Sequence, residues 1–231
     1  MRPLALALLL ASPAAAADFV PPAGCTLAFT AQLHGCVVSN TYSCVSDAPG
    51  DRRTSYADGE GVFFTSHIDR ETRWIESTDH ETGEIDRLLP DAADHASFST
   101  LLATGVDTYD FETLSNAGER RRYRGVDRLT GERVVIDGIT LERAEFEIET
   151  LAADGSFISR RTGSQFISRD WRIFFGDREH YENAFGDQVD TLEAPVTFAL
   201  PGEEGFGAAE PEYDCTTQMT GVPAKFPRPT L

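Results

Sequence analysis

Five histidines, His34, His67, His80, His95 and His180, are the side chains with which this sequence would hold a metal or move a proton. Their spacing does not gather them. No pair stands four residues apart as on a zinc-protease helix, and no Cys-x-x-Cys occurs, so neither a metal site nor a cofactor is expected. His80, His95 and His180 each have an acidic neighbour, Asp79, Asp94 and Glu179. A hydrolase using carboxylates and a histidine is therefore an alternative that depends on the fold bringing these residues into one cleft.

Other chemistries leave less trace. There is no Gly-x-Ser-x-Gly elbow for a serine nucleophile, no glycine-rich phosphate loop and no dinucleotide fingerprint. Paired carboxylates could serve glycoside hydrolysis, but with 38 acidic residues in the chain none is singled out. The formal net charge of −18 repels nucleic acid and anionic lipid at a distance, so no nucleic-acid partner is expected. Basic charge is almost all arginine, Lys225 being the sole lysine.

The elements that must position these groups read as strands. Residues 25–44, CTLAFTAQLHGCVVSNTYSC, form two β-rich runs meeting at His34-Gly35. A two-residue turn there puts Leu27 opposite Tyr42, Ala31 opposite Val38, Leu33 opposite Cys36 and Cys25 opposite Cys44. Cross-strand partners lie about 4.5 to 5.5 Å apart at Cα, close enough for a disulfide. The favoured pairing is therefore Cys25 with Cys44, leaving Cys36 for Cys215. A one-residue slip undoes that register, and Cys25 with Cys36 plus Cys44 with Cys215 stays open. With all four cysteines paired, a cysteine nucleophile is not expected.

Further along, three Asp-x-x-Thr frames beginning at Asp69, Asp79 and Asp127 predict turns rather than calcium loops, which need more ligands. Residues 91–104 predict one short helix, capped by Asp94 and stopped at Gly105. From Arg120 to Asp177 a long antiparallel meander follows, entered through DTYDFETL. Its register sets Glu112 against Arg122, Asp110 against Arg124 and Phe111 against Tyr123, matching charge with charge and ring with ring. The Asp154-Gly155 turn then sets Glu149 against Arg160. Ala144, Phe146 and Ile148 alternate with Glu145, Glu147 and Glu149, apolar inside and acidic outside. At the end of the meander Trp171, Ile173 and Phe175 share one face and Arg172 and Phe174 the other. Aromatics on both faces suggest that this strand lies under a loop or the helix. The fold class is thus all-β: an antiparallel meander forming a curved sheet or partial barrel with one short helix.

The N-terminus carries Arg2, an apolar run from Leu4 to Ala11 and small residues to Ala17. This is the pattern of a secretory signal peptide over residues 1–17, leaving residues 18–231 as a single β-rich periplasmic domain. No later stretch is long and apolar enough to span a membrane as a helix. Export to the periplasm or beyond would put the cysteines in an oxidising compartment.

The hairpin Cys-x10-Cys-x7-Cys, DRETRWIES, LLATGVDTYDF, DRLTGE, RDWRIFFGDRE and the late Tyr-Asp-Cys together resemble uncharacterised exported proteins of Gram-negative bacteria. That resemblance implies an exported location and no activity. In strand pattern alone, the curved meander with one helix looks like the half-barrels of periplasmic lipoprotein carriers, a likeness of fold that does not carry function. The expectation is a non-enzymatic periplasmic binding or envelope-associated protein. Its partner would be a small apolar or amphipathic ligand, or an envelope protein. Any ligand site is expected on the apolar side of the meander, near Trp171 and Phe175. A structural or interaction protein without a pocket is the other reading.

Overall fold

In the computed structural model, which describes residues 18–215, thirteen antiparallel strands follow one another in a single sheet. In chain order they are β1 (Cys25–Leu33), β2 (Val37–Cys44), β3 (Arg52–Asp58), β4 (Gly61–Ile68), β5 (Trp74–Asp79) and β6 (Ile85–Leu88). A seven-residue helix, α1 (Phe98–Thr104), precedes β7 (Val106–Ser115), β8 (Arg120–Ile136), β9 (Ile139–Ala152) and β10 (Phe157–Ser168). The series ends with β11 (Ile173–Asn183), β12 (Gln188–Leu192) and β13 (Pro195–Ala199). Every strand from β1 to β12 pairs with its neighbour in sequence, and β13 returns to pair with β1. The two edge strands, β12 and β13, are therefore consecutive in the chain, joined through Glu193 and Ala194. The sheet curls until its edges meet at that joint without closing into a hydrogen-bonded barrel. The signal-peptide pattern at residues 1–17 and the proline-rich tail beyond Cys215 lie outside the described residues.

Three contacts tie the curl together at or near the seam. The Ala194 carbonyl accepts from the His34 amide at 2.9 Å. The Asp137 carboxylate, at the tip of the β8–β9 hairpin, accepts from the Phe198 amide at 2.8 Å and so occupies a donor on edge strand β13. Inside, the rings of Phe175 on β11 and Phe198 on β13 meet with centroids 5.3 Å apart.

The segment from Pro201 to Cys215 acts as a strap across one face of β1 and β2. Asn40 donates to the Ala208 carbonyl, Thr30 accepts from the Gly207 amide, and Gln32 bonds the backbone of both Glu210 and Glu212. The Cys36–Cys215 disulfide fixes its end, and Cys25–Cys44 crosses the open end of the first hairpin. Both are the favoured pairings.

The register of that hairpin departs from the two-residue turn. Cys25 does face Cys44 and Leu27 faces Tyr42, but a bulge at Ala28 shifts the ladder by one, so Ala31 faces Ser39 and Leu33 faces Val37. The turn is His34-Gly35-Cys36, with Gly35 and Cys36 both at positive φ. A bulge and a three-residue turn compensate for each other, which is why the cysteine pairing survives.

Other expectations shift in the same local way. The helix starts later, at an N-cap of Ser97, whose hydroxyl accepts from the Thr100 amide, and Gly105 closes it in the left-handed conformation. Asp94 instead makes an isolated bridge to Asp110 and accepts from the Thr108 hydroxyl. Trp171 stands in the turn before β11, because Arg172 adopts a φ of 50° and breaks the strand. Ile173 and Phe175 then share one face, while Phe174 turns the other way to meet Phe98 of α1 edge-on at 5.5 Å. The Asp69 and Asp79 frames are turns in which the carboxylate accepts backbone amides. The Asp127 frame is not: Asp127 lies inside β8, buried and opposite Asp107.

Candidate interior site

Side chains of partnered residues in neighbouring strands share a face. Following the register across the sheet gives one inward row, Asp107–Asp127–Phe146–Gly163–Glu179–Thr191, running from β7 to β12. Three residues along from Asp107, on the opposite face, runs the row Asp110–Arg124–Glu149–Arg160–Glu182. That outward row alternates in sign, and Arg160 reaches both Glu149 and Glu182 at 3.5 and 3.4 Å. The inward row has acids without that alternation.

At the seam end the interior is aromatic. Phe29 stacks on Trp171 with centroids 4.2 Å apart, and Phe175 and Phe198 complete the cluster. Trp171 and Phe175 are thus brought together, with ring centroids 6.2 Å apart, and Phe175 pairs with Phe166 on the face of β10 that also carries Arg160. Trp171 packs against Phe29 and Phe198, and Phe175 borders a small cavity. Next to them a cavity of about 30 Å³ is bordered by Thr41, Thr54, Tyr56, Gln165, Glu179 and Glu193 among others. A second, of about 20 Å³, lies beneath the approach to α1 and is bordered by Trp74, Ala96, Tyr109, Asp127 and Gln165.

Three carboxyl groups in this interior hold protons unusually well. Burial raises Asp127 to about 7, helped by the charge of Asp107 and opposed by the Gln165 amide, which donates to it at 2.6 Å. Asp107 is raised to about 6 by burial; the Ser97 amide opposes this, while Asp94 and Glu71 add to it. Glu193, in the joint between the two edge strands, is raised to about 7 by burial and by Glu179, against the pull of Arg161. Gly176 leaves the room that the Glu193 side chain occupies. Tyr109 lies across the bare backbone of Gly125, where a Cβ would fall within its ring, and burial raises its phenol far above the ordinary value.

The histidines are not part of this interior row. His34 bonds Asp214 by the strap, His67 is buried against Asp51 at 2.8 Å, and His80 bonds the Thr65 hydroxyl. His180 bonds Asp190 on the exposed edge pair β11–β12, and His95 precedes α1. His80, His95 and His180 therefore stand on three separate elements. Among the described residues no group of three or more His, Cys, Asp or Glu side chains is placed to hold a metal ion.

The sequence reading missed Glu71, which organises the end of the curl beneath α1. Its carboxylate accepts from the Ser97 hydroxyl and from both the amide and hydroxyl of Ser99. Arg172 donates to it at 2.8 Å and also to the Arg70 carbonyl, with its guanidinium over the Phe98 ring. One arginine in a left-handed turn thus fastens the β4–β5 connection to the β10–β11 connection, through α1. No family model, curated protein or solved structure matches the chain. No described helix is long and apolar enough to cross a membrane.

Proposed function

We propose that this is a non-enzymatic, exported, envelope-associated protein that works as a cross-linked β scaffold through its outer surface. The observation that carries this reading is the small size of the two cavities described among residues 18–215. Cavities of about 30 and 20 Å³ each hold about one water, whereas a small-molecule pocket needs roughly 300 Å³ or more. Export to the periplasm is supported by the signal-peptide pattern and by two disulfides, which persist in oxidising compartments.

A second reading, a carrier of an apolar or amphipathic ligand, draws on one feature. The seam between β12 and β13 lacks a ladder of hydrogen bonds, and the rings of Phe29, Trp171, Phe175 and Phe198 lie at its end of the interior. Parting the seam would exchange aromatic contacts for ligand contacts. Native mass spectrometry of the protein isolated from its own periplasm separates the two readings. The scaffold reading expects the processed chain without lipid; a lipid at one per chain overturns it in favour of the carrier.

A further inference from the structure

We propose that the segment from Asp94 to Gly105, α1 and its approach, is a pH-operated cover: it stays seated while Asp107 and Asp127 hold a proton between them and lifts when both are ionised. The inference stands apart from the scaffold and carrier readings and survives the failure of either.

The geometry starts with a like-charged cross-strand pair. Asp107 and Asp127 face each other on β7 and β8, 6% and 7% exposed, and among the described residues neither is ion-paired. Asp107 accepts the amide of Ser97, the N-cap of α1, at 2.7 Å. The approach to α1 also borders the small cavity into which Asp127 faces, through Ala96. A seven-residue helix does not persist alone. It is held by its apolar face, Phe98 and Leu101 against Ala144 and Ile167, and by its carboxylate anchors.

Those anchors differ in one respect. Glu71 has its charge matched by Arg172. Asp107 has a second carboxyl across the ladder instead. With one proton between them, Asp107 and Asp127 place a single negative charge in a buried space; the loss of that proton to solvent leaves two. Like charges on facing cross-strand residues repel in low dielectric. Parting β7 from β8 would cost a ladder of hydrogen bonds, whereas lifting the short cover admits water to both carboxylates.

The groups facing the pair do not supply the missing charge. They are Tyr109 on β7, Phe146 on β9, Gln165 on β10, Thr72 and Glu71 before β5, and Asp94 on the cover itself. His95, with its Nδ1 buried and unpartnered, is the cover's own basic group and the natural control.

Hydrogen–deuterium exchange of the full chain at pH 5.5 and 8.5, corrected for intrinsic rates, tests the proposal. The amides of α1 are expected to lose protection by about tenfold or more at the higher pH, one pKa unit of coupling being worth a factor of ten. Those of β9 and β10 are expected to hold. Asp127→Asn, which keeps an acceptor for Gln165, is expected to abolish the difference; Asp107→Asn serves if that variant does not fold. Unchanged protection at both pH values overturns the proposal. So does a uniform loss across the sheet, a difference that persists in the Asn variant, or one that vanishes in His95→Gln.

Discussion

Two rows of charge cross the same strands, one on each face of the sheet, and they follow opposite rules. Outside, Asp110, Arg124, Glu149, Arg160 and Glu182 alternate in sign from β7 to β11, each acid answered by a guanidinium. Inside, Asp107 and Asp127 face each other unanswered, and Glu179 and Glu193 share Arg161. A solvated charge ladder holds register and solubility at little cost or gain, because water screens each pair. A buried unanswered acid is expensive unless it keeps its proton. The protein's chemically poised groups are therefore its inward acids, although arginines and glutamates dominate the sequence of the outer face.

The contrast can be broken most forcefully from the inside. Gly125→Ala is expected to cost about 3 kcal/mol, as overpacking in a closed core does, because the new methyl group would occupy the space of the Tyr109 ring. Urea unfolding checks it, and a cost near zero would show that Tyr109 swings free. A smaller effect of opposite sign is expected for Asp127→Asn. The folded group titrates at about 7, well above the unfolded value of roughly 3.9. Its contribution is thus fully present below about pH 4 and is lost as pH rises to about 7. At pH 8 the Asn variant is expected to be about 2 kcal/mol more stable than the parent, at about 1.4 kcal/mol per pKa unit and discounted for relaxation. Below pH 4 the two are expected to converge; equal stability across the whole range would sink the assignment. The smallest effect belongs to the outer row. Arg160→Ala is expected to cost under about 1 kcal/mol and less still in 1 M salt. A loss of several kcal/mol there would erase the distinction between the faces.

Much of this was legible before any coordinates. The register read from DTYDFETL and RRRYRGV, with Glu112 on Arg122, is the register observed. Carried five residues further it sets Asp107 on Asp127, so the inward pair was within reach. It was hidden by Asp127-Arg128-Leu129-Thr130-Gly131, whose resemblance to the turns at Asp69 and Asp79 suggested a chain reversal. There the bulge between Leu129 and Arg133 absorbs the Thr-Gly, and β8 runs on. Local turn chemistry lost to a seventeen-residue strand that pairs with β7 as far as Arg128 and with β9 on both sides of the bulge. Glu71 and Arg172 could not have been paired from sequence. They are joined by the curl of the whole sheet, and the left-handed φ at Arg172 has no local signature. Trp171 and Phe175 stand close together, but whether the space beside them is open or filled depends on side chains from β1 and β13.

For a chain exported as proposed above, the return of β13 to β1 would set an order of events. A chain threaded from its N-terminus completes β1 to β12 hairpin by hairpin, each pairing available as soon as its two strands have emerged. Cys25 and Cys44, 19 residues apart, would reach the oxidising compartment early. Cys36 would have to wait for Cys215, 179 residues later, as a thiol that could mispair with Cys25 or Cys44. The register of the first hairpin resolves the hazard. By holding Cys25 against Cys44 and carrying Cys36 away in the turn, it would present the correct pair to an oxidant of the compartment and leave the third thiol for the strap that arrives last.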